Sequence, residues 1–345
     1  MRRLFLLFFT LGALALSAAE PLKIGVVAPL TGNLSVSGQA LKNSLLLAQE
    51  DTPEFKTKLF FEDTESTLSG VNLAMRRLAS LNHVDVIFSP YSQEAALVAP
   101  FCDQKGILHL SCCWNSIVVE KSKYTFSNSV SFRNYDDATI RLLKQKGYKR
   151  VAIIGTLSPG VPEGNDYLAE QCKKQGIDIV ANETYTPELR DFRTPILRLK
   201  EKSPDVYYLL LLDPACDIFT KQLHELLPGS NVTGYLDECQ DKEYIEGTTY
   251  ISEYPPIPDF YARYLKKFHV SAEQTLAPNV YDSYRMLAKV SSELPKWNVQ
   301  AAADKMRSMK EFPGITGSLT CAPTGVFLSQ THVVKIVKGQ KEFEK

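Results

Sequence analysis

Two short polar stretches, Ser89-Pro90-Tyr91-Ser92 and Ser111-Cys112-Cys113-Trp114-Asn115-Ser116, hold the residue types best suited to gripping a small anion. Each follows an apolar run: Val86-Ile87-Phe88 before the first, Ile107-Leu108-His109-Leu110 before the second. Between them Gln93 to Gln104 carries helix-forming residues that stop at Gly106. Hydroxyl and amide groups at strand ends can donate hydrogen bonds, and a helix starting there adds unpaired N–H groups. In an open α/β sheet, ligands sit at the carboxyl ends of the strands. Two such turns side by side are chemistry for binding.

Bond-making chemistry has no comparable signature. The sequence contains no G-x-S-x-G elbow, Walker loop, G-x-G-x-x-G fingerprint or Cys/His pair in a recognisable context. The five histidines (His83, His109, His224, His269, His332) are scattered, without H-E-x-x-H or paired spacing. No enzyme activity, metal or cofactor is expected.

The two turns need a sheet to hold them, and the chain reads as strand–helix alternation. Leu22 to Leu30 is a strand, Thr31 to Gln39 a polar glycine-bearing loop, and Ala40 to Asp51 an amphipathic helix. Lys58 to Phe61 is a strand and Val71 to Ser80 a helix. Tyr124 to Ser131 is a further strand, and Asp136 to Lys146 a helix. A second α/β run starts at Arg150 to Ile154, continues through a Pro/Gly loop over Thr156 to Asn165, and reaches a helix at Asp166 to Gln175. Val206 to Leu212 is almost wholly apolar, as strands buried on both faces are. A helix follows at Cys216 to Leu227, then a strand at Asn231 to Leu236. Helices are expected at Phe260 to Phe268, Asn279 to Leu294 and Ala301 to Met309, and a last strand at His332 to Val337.

The 345 residues suit two domains, and 39 basic against 39 acidic side chains give no reason to expect a nucleic acid or an anionic membrane as partner. Arg2 and Arg3, the apolar run Leu4 to Leu16 and the small residues Ser17-Ala18-Ala19 read as a cleaved secretory leader over residues 1–19. The apolar run is shorter than the roughly 20 residues a membrane span needs. No Cys follows the small residues to take a lipid, so a soluble periplasmic protein is expected. Export permits disulfides, yet seven cysteines leave at least one free. Most are expected as small buried hydrophobes, with a bridge from Cys102 to Cys112 or Cys113 conceivable.

Segments in order along nearly the whole remaining chain resemble the periplasmic binding proteins of the leucine/isoleucine/valine-binding type, the solute receptors of ABC importers. They are KIGVVAPLTGNLSVSGQ, FFEDTESTLSGVNLAMRRLAS, VDVIFSPYSQEAALVAPFCDQKGILHLS, VAIIG, NVYDSYRMLAKV and GITGSLT. The resemblance implies an α/β fold of two doubly wound parallel-sheet lobes joined by a three-stranded hinge, closing on a ligand without catalysis. Lobe one would comprise 20–130 and 254–322, lobe two 131–253 and 323–345. Phe126 to Asn134, Ile251 to Pro258 and Ala322 to Phe327 would be the crossings. The implied partners are a small-molecule ligand (an amino acid or a related carboxylate or amide) and the membrane subunits of an ABC permease, with the chain itself a monomer. The same build would equally serve a sensor that reports such ligands to a membrane partner, since both uses need only closure.

The resemblance also assigns residues. Ser92 either caps the helix after it or, as the family's equivalent serine does, grips the ligand carboxylate. Asn115 stands where the pattern carries a threonine hydroxyl, and Cys113 would present mainly backbone. Trp114 departs from the pattern: it is either an aromatic of the core or lobe interface, or a wall stacked on the ligand. From lobe two, Asp237 or Glu238 would pair with a ligand ammonium, Asp237 being slightly preferred. Ser37 stands where a Tyr is frequent, and with Gln39 it would contact the ligand or cap the following helix. Asp63 would bond loop backbone. Thr156 to Gly160 lacks the family's D-x-x-x-Y-G turn, and Tyr167 lies too far along to replace it.

Overall fold

Alternating apolar runs and helix patterns bury two parallel sheets in this chain. The computed structural model describes residues 20–157, 161–212 and 214–344, without the side chains of Pro162, Glu163 and Glu238. The expected leader and Ser158 to Gly160 lie outside the described residues. The first sheet has β1 (Leu22–Ala28), β2 (Thr57–Asp63), β3 (Val86–Ser89), β4 (Leu108–Ser111) and β5 (Thr125–Ser127), in the order β2-β1-β3-β4-β5. All of its pairings are parallel. The second sheet has β6 (Arg150–Thr156), β7 (Asp178–Tyr185), β8 (Val206–Leu210) and β9 (Val232–Gly234), in the order β7-β6-β8-β9 and again parallel.

Both sheets are covered on both faces, as parallel sheets require. In the first, Ile24, Val26, Val86, Phe88, Leu108 and Leu110 point to a core shared with helices Ser35–Asp51, Pro258–Phe268, Ala277–Ser292 and Val299–Ser308. Val27 and Ile87 face the other way, onto helices Leu68–Arg77 and Ser92–Lys105. In the second, Val151, Ile153, Tyr208 and Leu210 meet helices Phe132–Lys146 and Val161–Lys174, while Ala152, Ile154, Tyr207 and Leu209 meet Arg193–Lys200 and Ala215–Leu226.

Antiparallel strands complete the chain. β10 (Thr249–Ser252) pairs with a late strand that follows the hairpin of β11 (Phe312–Gly314) and β12 (Gly317–Leu319). That late strand is β13 (His332–Val337), which pairs in turn with β14 (Gln340–Phe343). Tyr250, Val334 and Ile336 of β10 and β13 belong to the core of the second sheet. The segments expected to cross between the sheets lie side by side: Ser127 N–H donates to Gly325 O at 3.1 Å and Phe327 N–H to Ser127 O at 2.8 Å.

Several boundaries differ from expectation. The first helix begins at Ser35 rather than Ala40, so Ser37 and Gln39 are helical. The strand expected over Tyr124 to Ser131 shrinks to β5, and the next helix starts at Phe132, capped by Ser131 Oγ accepting from Asn134 N–H. Part of the Pro/Gly loop after β6 is helix from Val161 onward. The cysteines also differ: Cys216 and Cys239 form a disulfide, while Cys102, Cys112 and Cys113 are buried and free.

Candidate functional site

The strand order places the candidate turns. β1 leads to β2 on one side and the chain then returns to β3 on the other, so the crevice of the first sheet opens at the carboxyl ends of β1 and β3. Ser89, Ser111 and Ser127 sit in register across β3, β4 and β5 at that edge, all buried. His109 stands one layer below and meets Ser89 Oγ through Nε2 at 2.8 Å and Thr125 Oγ1 through Nδ1 at 3.0 Å. Burial pushes its imidazole down to about 3, so it is a neutral partner of two hydroxyls.

Ser92 is the first residue of its helix, and the preceding cap residue, Tyr91, makes no side-chain capping bond. The capping role considered for Ser92 is therefore not the one it has. Its Oγ accepts the backbone N–H groups of Trp114 and Asn115, each at 3.1 Å. A hydroxyl has two lone pairs and one hydrogen, so what Ser92 retains for another partner is chiefly its hydrogen. The residue that caps is Asn115, whose Oδ1 accepts from Ile117 N–H at 3.0 Å. Cys113 is fully buried, and its thiol bonds Asn115 O at 3.1 Å while Ser127 Oγ donates to its carbonyl at 2.7 Å. Burial raises that thiol to about 11, more than the bonds to Ser92 and Asn115 lower it. It is thus held as a thiol. Glu94, in the first turn of the same helix, is also buried, and burial raises its carboxyl.

The first loop faces the same crevice. Tyr91 donates its hydroxyl to Ser37 Oγ, and Gln39 Nε2 donates to Leu30 O at 3.1 Å. Neither Ser37 nor Gln39 caps the helix, which already contains them. Gly38 lets that helix close on β1: a Cβ there would lie 2.0 Å from Pro29 O. Asp63 bonds loop backbone as expected, accepting from Leu30, Thr31 and Glu65 N–H and from Thr31 Oγ1. Burial raises its carboxyl, yet these bonds together outweigh burial and hold it below the ordinary carboxylate value.

Trp114 runs from the first sheet to the second. Its ring lies 5.2 Å from Tyr235 and 5.6 Å from Tyr135, centroid to centroid, both in the core beneath the second sheet. Its indole N–H donates to Glu253 Oε2 at 3.1 Å, and Tyr235 OH donates to Glu253 Oε1 at 2.6 Å. Tyr254 OH is 3.2 Å from Tyr235 OH. Trp114 is half-buried, packed against aromatic residues of the second sheet's core.

Asp237 follows β9 in a one-turn 3-10 helix, Leu236–Glu238. It is buried, with Lys341 Nζ of β14 at 2.5 Å and Tyr250 OH at 3.0 Å from Oδ1. The cation that a desolvated carboxylate requires is thus supplied by this chain. The side chain of Glu238 lies outside the described residues. Tyr167, doubted as a replacement for the missing turn, bonds Asp137 Oδ1 at 3.2 Å on an exposed face. Residue spacing did not point to Glu253, Tyr235, Tyr91 or Lys341. Among them Tyr235 had a signal in its place at the end of a predicted strand, and Tyr91 in its place within the first polar turn.

No group of His, Cys, Asp and Glu among the described residues could hold a metal, and no helix among them is long and apolar enough to cross a membrane. A hollow of about 450 Å³ lined by Met75, Arg76, Leu97, Pro100 and Phe101 lies toward the far end of the Ser92–Lys105 helix, away from Ser92.

Residues 21–341 match the periplasmic binding protein family. The Leu/Ile/Val-binding protein BraC3 of Rhizobium johnstonii is 24% identical over 346 residues, covering 92% of each chain. Among solved structures, a leucine-binding protein LivK from Thermotoga maritima is 19% identical with a TM-score of 0.83, over 94% of this chain and 98% of that one. A solute-binding protein of an ABC transporter from Rhodopseudomonas palustris, in complex with 3,4-dihydroxybenzoic acid, is also 19% identical, with a TM-score of 0.81 over 93% and 95%. The two wound sheets with their connecting strands, and the match along nearly the whole length, show that this chain belongs to the periplasmic binding protein family, one of binding proteins and not of enzymes.

Proposed function

We propose that this chain is a periplasmic solute receptor that captures a small carboxylate-bearing ligand, an amino acid or a close relative, and hands it to an ABC permease. The observation that carries the reading is Ser92. Two backbone N–H groups bond its oxygen, with the Cys113 thiol 3.5 Å away, at the first turn of a helix and at the switch point of a parallel sheet. A carboxylate there would accept from Ser92 O–H, with Asn115 and the backbone of residues 113–115 forming the wall of the site. Ser37 would close it from the first turn of the Ser35–Asp51 helix. The names of the relatives point the same way, since they include leucine-binding proteins and a benzoate-type complex. In this reading residues 1–19 are the leader, 20–130 with 254–322 form lobe one, 131–253 with 323–345 form lobe two, and a single copy suffices.

Thermal-shift measurements on the mature chain against amino acids, their amides and small carboxylates test it. At least one carboxylate-bearing class should raise the melting temperature in a concentration-dependent way. Ser92→Ala should weaken that ligand about tenfold or more, consistent with loss of a hydrogen bond to a charged group. An unshifted panel, or a Ser92→Ala variant of unchanged affinity, would sink the assignment.

A further inference from the structure

The helices Leu68–Arg77 and Ser92–Lys105 pack on one face of the first sheet, through Val71, Ala74 and Met75 of one and Val98 and Cys102 of the other. Residues of both helices line the hollow of about 450 Å³. That volume falls in the range of roughly 300–1,000 Å³ that small-molecule sites occupy. Its body is apolar: Met75 comes from one helix, and Leu97, Pro100 and Phe101 from the other, with Leu97 and Phe101 one turn apart. Pro100 has no N–H to offer, so its ring adds only apolar surface.

The charge at this hollow has one sign. Arg76 and Lys105, each in the last turn of its helix, line it, and no acid among the described residues does. Both are exposed, and neither side chain has an ion pair or hydrogen bond among the described residues. Acids close in sequence are engaged elsewhere. Glu62 pairs with Arg77, and Asp103 accepts from Ser122 Oγ and from Lys123 and Tyr124 N–H. An apolar trough whose charged lining is two cations complements a molecule with an apolar tail and an anionic head.

We propose that this hollow is a binding site distinct from the crevice at Ser92, and that it takes a small amphiphilic carboxylate such as a medium-chain fatty acid. The tail would lie along Met75, Leu97, Pro100 and Phe101, and the head against Arg76 and Lys105. The site does not depend on the carboxylate grip at Ser92, so either can fail alone.

Calorimetric titration of the mature chain with hexanoate, octanoate and decanoate, each below its micelle threshold, tests this. Affinity should rise about twofold or more per added CH₂ as more tail is buried. Octanol, which lacks the charge, should bind about tenfold or more weaker than octanoate. Arg76→Gln and Lys105→Gln should each weaken decanoate about threefold or more, and the double variant about tenfold or more, while Ser92→Ala leaves it unchanged. Both cations are exposed, so the variants should melt as the wild type does. A flat chain-length series, octanol as tight as octanoate, a double variant that binds like the wild type, or decanoate binding lost in Ser92→Ala would each overturn the proposal. So would decanoate that fails to bind at all; vesicles containing phosphatidylglycerol that bound in its place would make this face a membrane contact instead.

Discussion

Ser92 and His109 show how much a site depends on where single hydrogens sit. Ser92 accepts two backbone N–H groups at its oxygen, which leaves its hydrogen as the group it can donate. His109 is enclosed by Ser89 and Thr125 and is fully buried, so protonating it would place a charge where no carboxylate is bonded to it. Its folded value, about 3, lies below that of an unfolded histidine. As pH falls from roughly 6.5 toward 3, the unfolded chain takes up a proton that the folded chain refuses, and stability is lost with a slope approaching about 1.4 kcal/mol per pH unit. Above roughly 6.5 the contribution is fully present. Urea unfolding at pH 7, 6 and 5 should therefore show a steeper decline for the wild type than for His109→Gln, which keeps the contribution of His332, also lowered by burial; parallel declines would remove His109 as a cause. The positions of Ser92 and Asn115 were readable from sequence because strand-end turns announce themselves locally. Glu253 and Lys341 were not. Their partners Trp114 and Asp237 lie 139 and 104 residues away, and no spacing rule spans such distances.

At the scale of elements, the buried faces of strands and helices were legible, and their first turns were not. Thr31 to Gln39 reads as loop because Gly32, Asn33 and Gly38 dominate it, yet Gly38 is there for close packing on Pro29 and tolerates the helix. Phe132 starts a helix four residues earlier than its apolar spacing suggests because Ser131 caps it. Pro100 is the reverse case, a residue that should break a helix and does not. Its ring removes the N–H that would bond Ala96 O, but both residues are exposed, so water can serve that carbonyl. The helix keeps its fold at a cost. Pro100→Ala should therefore raise unfolding free energy by about 1–3 kcal/mol with no change in ligand affinity. A destabilised variant in a denaturant titration would show that the proline shape itself is needed.

The whole molecule was readable as two α/β units because the segments alternate twice, with an all-apolar strand marking the second sheet. What composition could not supply was which cysteines meet. Cys216 begins the helix after β8 and Cys239 follows the turn after β9, and parallel β8 and β9 bring those ends together 5.3 Å apart at Cα. Asp217 Oδ1 accepts from Gln240 and Asp241 N–H at the same junction, so the turn bearing Asp237 is anchored twice. A bridge across 23 residues is worth about 3 kcal/mol through the unfolded chain. Both bridged cysteines lie in the core of the second sheet, and neither lies in that of the first. The five remaining cysteines are buried and already reduced, so a reductant has one target among the described residues. Calorimetry without ligand should then show reduction lowering the transition of the second sheet's lobe while that of the first lobe stays in place, splitting the melting profile. A ligand held by both lobes should draw the two transitions together again, since it binds only where both are folded. A single peak displaced as a whole by reduction would mean instead that the crossings at Ser127 and Val326 couple the lobes too tightly to melt apart.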